Sequence, residues 1–228
     1  MLETKGYSVA IDGPAGAGKS SLARRVAREL GFLYVDTGAI YRAVGYHLSL
    51  MGIGPRDVDG ITRLLDDINL EIAYSADGTQ RMLLNGADVT EEIRTPEVSK
   101  LASQISVHSV VRDFLLELQR DLARRHSVIM DGRDIGTVVL PQADVKIYLT
   151  ASIEERARRR LQDLHDKGIE MGLKEVMLEI QERDRQDMNR PVAPLRQAKD
   201  AVFLDTSSMT LEQAAQALKK IILERIPV

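Results

Sequence analysis

Residues 7–30 read YSVAIDGPAGAGKSSLARRVAREL. An apolar run ends in a glycine-rich loop, and Lys-Ser opens a helical pattern. Leu22, Val26 and Leu30 recur at i, i+4 and i+8, and Gly31 follows as a C-cap residue. Gly13, Pro14, Ala15, Gly16, Ala17, Gly18, Lys19 and Ser20 satisfy G-x-x-x-x-G-K-[ST] in full. Glycines reach positive φ without a steric cost. The loop N–H groups can then ring a phosphate. A helix beginning near Lys19 aims its positive end at the same anion. Lys19 is placed to bridge β- and γ-oxygens, Ser20 to ligate Mg²⁺, and Ser21 continues the nucleotide-binding turn.

Around that loop the chain alternates. Tyr7–Ile11, Phe32–Val35, Val128–Met130, Val145–Leu149 and Ala201–Leu204 are short apolar runs separated by helical patterns. Continuous rather than alternating apolar runs predict parallel strands covered on both faces, in an α/β doubly wound sheet. Ser152 to Glu155 and Thr210 to Gln213 read as capping boxes. Two segments break the rhythm. From about residue 68 to 106, β-like runs are separated by Asp77-Gly78 and Asn85-Gly86, and Pro96 suits a helix start. This predicts a small antiparallel lobe plus a helix. The segment from about 151 to 190 is charged and helical, with Gly168 and Gly172 between its halves.

Composition narrows the chemistry. The 228 residues carry a net charge of −3, so no bulk basic field attracts nucleic acid or anionic lipid. No cysteine is present, which excludes disulfides, zinc-thiolate sites and thiol nucleophiles and suits a cytoplasmic setting. His47, His108, His126 and His165 show no metal-ligand spacing. No apolar run approaches the roughly 20 residues of a membrane span, and the opening MLETKGYSVAID lacks a signal-peptide core.

The remaining question is what receives the phosphate. The three asparagines are followed by Leu70, Gly86 and Arg190, so the N-K-x-D motif of guanine-specific switches is absent. VIMDGRD places Asp131 at a strand end, then Arg133 and Asp134, which suits Mg²⁺ and a second anionic group. VDTGAIYRAV places Asp36 and Thr37 at the end of another strand, with Tyr41 and Arg42 on the first turn of the next helix. Ligands of open α/β sheets bind outside the carboxyl ends of the strands. Arg42 and Arg133 can therefore clamp one phosphate with forked donors. Further on, Val176, Ile180, Arg183, Asp187 and Arg190 share a helix face that begins apolar and ends charged, as the border of a polar cavity would. Arg156 and Arg160 also share a face and read either as lid arginines over the transferring phosphates or as part of an exposed helix of balanced charge.

Together GPAGAGKS, DTGAIYR, DGRDIGTVV and ERDRQDMNRPVAPL resemble bacterial-type cytidylate (CMP) kinases, over about residues 7 to 225. The resemblance implies an adenylate-kinase-like core with a five-stranded parallel sheet over 1–67, 107–150 and 191–228. It also implies a CMP-binding insert over 68–106 and a lid over 151–190. It implies transfer of the ATP γ-phosphate to CMP or dCMP in pyrimidine nucleotide metabolism, in a cytoplasmic monomer using Mg²⁺. Carried over to this chain, Thr37, Ser103, Arg112 and Asp134 meet the cytosine side of the pocket. Arg42 and Arg133 hold the CMP phosphate, and Asp187 binds ribose, with Arg183 and Arg190 nearby. Thr37 stands where many relatives have serine; the hydroxyl is kept. Two other readings fit the loop: a kinase of another small acceptor, and a switch ATPase acting on a protein partner.

Overall fold

The computed structural model describes residues 6–166 and 168–226. The chain runs β1 (Ser8–Asp12), α1 (Lys19–Leu30), β2 (Leu33–Asp36), α2 (Thr37–Leu50) and α3 (Val58–Asp67). An excursion follows: β3 (Leu70–Tyr74), β4 (Gln80–Leu84), β5 (Ala87–Asp88) and α4 (Pro96–Ile105). The chain returns through α5 (Ser109–Arg125), β6 (Val128–Gly132) and β7 (Val145–Thr150). Two further helices, α6 (Ile153–His165) and α7 (Leu173–Asn189), precede β8 (Val202–Asp205) and α8 (Leu211–Leu223).

Five strands form one sheet in the order β2-β6-β1-β7-β8, all pairs parallel. The continuous apolar runs have their explanation in β1. Ala10 faces a core shared with α2, α3 and α5, whereas Val9 and Ile11 face the opposite core, with α1 and α8. A strand buried on both faces has no polar side to alternate with. A third, small core of Ala157, Leu164, Val176 and Ile180 joins α6 to α7. Among the described residues no helix is long and apolar enough to cross a membrane.

The local signals behave as their chemistry requires. Gly31 is left-handed at φ 68° and ends α1, Thr95 caps α4 with Pro96 in its first turn, and Thr210 with Gln213 forms the full capping box of α8. Asn85 and Gly86 turn the β4–β5 hairpin with positive φ. Two readings need correction. Ser152 accepts from the Glu155 N–H at 3.2 Å, but Glu155 turns its carboxylate to Arg159 at 3.0 Å, so only half of that box forms. Helix α2 starts at Thr37, which places Tyr41 and Arg42 one turn further in than the sequence suggests; Asp36 Oδ1 caps it from the strand end, accepting from Ala39 N–H at 3.0 Å.

The three-stranded sheet β3-β4-β5 sits beside the open edge of β2. Buried Gln80 accepts from Asp36 N–H at 2.7 Å and donates to Asp36 O at 3.3 Å, while Tyr74 Oη donates to Tyr34 O at 3.1 Å. Side-chain amide and phenol thus substitute for a neighbouring strand along that edge.

Candidate active site

A cavity of about 790 Å³ opens at the carboxyl ends of the strands. Its floor is the loop between β1 and α1. Its walls come from α2, α4, α5, the β6 end, α6, α7 and the start of α8. Every residue that the sequence placed here lines it, except Gly13, Pro14 and Arg156.

Gly13 shapes the floor without touching the cavity. A Cβ there would lie 1.9 Å from Leu149 O, so only glycine lets the loop cross β7. Gly16 and Gly18 are left-handed at φ 72° and 87°. Lys19 is buried, with its ammonium donating to Gly13 O and Pro14 O at 2.8 Å each. Burial, followed by the repulsion of Arg133, pulls its pKa down to about 7, against the attraction of Asp131. Ser20 Oγ donates to Asp131 Oδ2 at 2.9 Å, and Tyr34 Oη donates to Oδ1 at 2.9 Å. Burial and the nearby Asp36 raise the Asp131 carboxyl to about 6.

At the other end the arginines are held by carboxylates. Asp134 accepts from Arg190 at 2.8 Å through Oδ1 and from Arg112 through Oδ2. Arg112 also lies over the Tyr41 ring, 5.6 Å from its centroid, and donates to Ser106 O at 3.2 Å. Arg133 donates to Asp187 at 2.6 Å, and this pairing holds the Asp187 carboxyl below its ordinary pKa although burial opposes it. Arg42 donates to Asp36 Oδ2 at 2.9 Å. Thr37 Oγ1 donates to Asp131 O at 2.8 Å, joining the ends of β2 and β6. Ser103 lines the wall from α4.

Between these ends lie Arg160 and Arg183, neither in an ion pair among the described residues. Burial, then the charge of Arg133, brings the Arg183 pKa down to about 10. Two cations with no ion-pair partner among the described residues are suited to take up negative charge.

Several residues of the site carried no recognisable pattern in the sequence. Asp12 accepts from Ile135 N–H and Gly136 N–H at 2.7 Å each, and so fixes the backbone that follows Asp134. Gln80 holds both backbone groups of Asp36 from the excursion, as described. Asp184 reaches the loop itself, accepting from Ala15 N–H at 3.0 Å. On the far side of the loop, Arg159, Gln162, Asp163, Met209, Thr210 and Leu211 extend the cavity wall. Thr210 was legible as a cap, but not as a wall.

Comparison with known proteins bears on this geometry. The family model described as cytidylate kinase matches residues 9–224. The chain belongs to the cytidylate kinase family. It is 49% identical over 214 residues to the cytidylate kinase of Carboxydothermus hydrogenoformans, covering 94% of this chain and 96% of that one. It is 46% identical over 217 residues to the cytidylate kinase of Caldicellulosiruptor saccharolyticus, covering 95% and 96%. Among solved structures, an uncharacterized protein from Eubacterium ventriosum shares the fold at a TM-score of 0.55, with 11% identity over 96% of this chain and 99% of that one. The matched range holds the loop, both strand-end motifs, the excursion and the two charged helices, so membership of the cytidylate kinase family covers the whole cavity.

Proposed function

We propose that this protein transfers the γ-phosphoryl group of ATP directly to the phosphate of CMP or dCMP, giving ADP and CDP or dCDP. The observation that carries this reading is one continuous cavity, with a phosphate loop at one end, carboxylate-held arginines at the other and, between them, Arg160 and Arg183 without an ion pair among the described residues. The acceptor is a phosphate oxygen, already largely ionised at neutral pH because the second pKa of a phosphate monoester is about 6. No general base is required. The chain has only to align the two substrates, spread charge and keep water out.

Each residue has a place in that task. The loop amides and Lys19 hold the donor phosphates. Arg42 and Arg133 aim the acceptor phosphate, and Arg160 and Arg183 stabilise the group in flight. Asp187 takes the ribose hydroxyls. Asp134, whose oxygens retain lone pairs beside Arg112 and Arg190, accepts from the cytosine amino group while Arg112 donates to ring acceptors. Uracil lacks that amino donor, so the pocket disfavours it. Ser20 Oγ and Asp131 Oδ2 are paired hard oxygens suited to Mg²⁺ with the nucleotide phosphates completing its shell; bound there it would supply charge neutralisation. The excursion serves the acceptor and α6–α7 the lid. ATP and CMP as substrates and the absence of cysteine agree with a cytoplasmic setting.

The test is ADP formation from ATP and Mg²⁺ with CMP, dCMP, UMP, AMP, GMP or no acceptor. Strong stimulation by CMP and dCMP is expected. Equal slow release in every tube would replace the kinase with a switch ATPase.

A further inference from the structure

The pattern in the sequence pairs Arg156 with Arg160, but the structure separates them. Arg160 lines the cavity, whereas Arg156 is buried one helical turn lower, at the root of α6. Its Nη1 donates to Ala15 O at 3.0 Å and to Asp184 Oδ2 at 2.5 Å, and its Nε donates to Ala151 O at 3.0 Å. Asp184, buried on α7, closes the ring by accepting from Ala15 N–H at 3.0 Å. A single residue of the phosphate loop is therefore gripped at both its N–H and its C=O by an ion pair that spans both lid helices.

The neighbouring contacts point the same way. A Cβ on Gly16 would stand 3.2 Å from Arg156 O and 3.5 Å from Ile180 Cδ1, so the loop lies flat on the lid's root. Arg159 donates to Ala17 O at 3.2 Å. Two loop carbonyls are thereby drawn toward lid arginines. A carbonyl oxygen turned to the phosphates instead would repel them.

We propose that Arg156 and Asp184 form a latch that sets the phosphate loop for the donor nucleotide. Arg156 is then a positioning residue acting through Ala15, and the hands on the moving phosphoryl group are Arg160 and Arg183. The proposal rests on the donor assignment of the loop made above. It links seating of the lid helices to the shape of the loop, because both partners of the latch belong to the lid.

Asp184→Asn, Arg156→Lys and the double variant test it, with ATP and CMP varied independently and folding checked by thermal melting. Each single variant is expected to raise the KM for ATP about tenfold, with the KM for CMP held within about twofold. The double variant is expected to be no worse than the poorer single, since the pair acts as one unit. A loss of about a hundredfold or more in kcat for Arg156→Lys, with Asp184→Asn at the wild-type level, would put Arg156 on the phosphoryl group and overturn the latch. Unchanged KM values with only a lowered melting temperature would reduce the pair to packing. If the wild type forms no CMP-dependent ADP, it is the function that fails. Calorimetric affinity for a non-hydrolysable ATP analogue then decides the latch, which requires weaker binding in both singles and is refuted by equal binding.

Discussion

On the side of the cavity proposed to take the acceptor, Arg42, Arg112, Arg133 and Arg190 each have a carboxylate partner. Between that side and the phosphate loop, Arg160 and Arg183 have none among the described residues, and Lys19 leans on the carbonyls of its own loop. The difference follows what each end must hold. A paired guanidinium is fixed in direction before any ligand arrives, which suits Arg42 and Arg133 to the aiming of a phosphate proposed above, and it exposes a mixed donor-acceptor surface, which suits Arg112 and Arg190 to the proposed contact with a base. Buried cations without an ion-pair partner are costly: burial first, and then the charge of Arg133, lowers the pKa of both Lys19 and Arg183. An incoming polyphosphate relieves that cost.

The strongest way to break this contrast is Arg133→Ala, because Arg133 is paired with Asp187 yet is proposed to aim the acceptor phosphate. Its kcat/KM for CMP is expected to fall by at least about a hundredfold, roughly 2.7 kcal/mol. A value near wild type would remove Arg133 from the phosphate clamp. Asp134→Ala tests the paired end alone. It leaves Arg112 and Arg190 without their shared carboxylate and takes the proposed acceptor away from cytosine. The preference for CMP over UMP, measured as a ratio of kcat/KM values, is expected to narrow by about tenfold. An unchanged ratio would mean that the base is read elsewhere.

The smallest effect sharpens the unpaired end. Burial lowers the Lys19 pKa to about 7, so in the free protein at pH 8 Lys19 is expected to carry less than its full charge. Bound phosphate favours the ammonium form, so ATP binding at pH 8 should take up protons, up to about one per site. Titration calorimetry in buffers of different ionisation enthalpy reads that uptake as a slope. A flat line would show that Lys19 is already charged.

Much of this was legible before the structure. The five strands fall within a residue or two of the apolar runs, since burial on both sides leaves a strong compositional mark. The phosphate loop and the Asn85-Gly86 turn were readable because backbone conformation dictates their residues. Arg156 was misplaced for a definite reason: helical periodicity reports which face a side chain occupies, but not its depth along the helix. One turn separates a buried root from the cavity. Asp12, Gln80 and Asp184 went unread because they bind backbone groups 123, 44 and 169 residues away. Any residue type carries such groups, so no pattern marks the partner.

The Gln80 and Tyr74 contacts at the β2 edge have a further consequence for the history of this chain. They make the excursion a plug as well as a pocket wall. A shortened protein that lost residues 68–106 would retain its phosphate loop, but it would bare the N–H and C=O row of an outermost strand, an invitation to pair with another molecule. The excursion is thus hard to trim away: losing a wall of the cavity and baring a sheet edge would come in a single step.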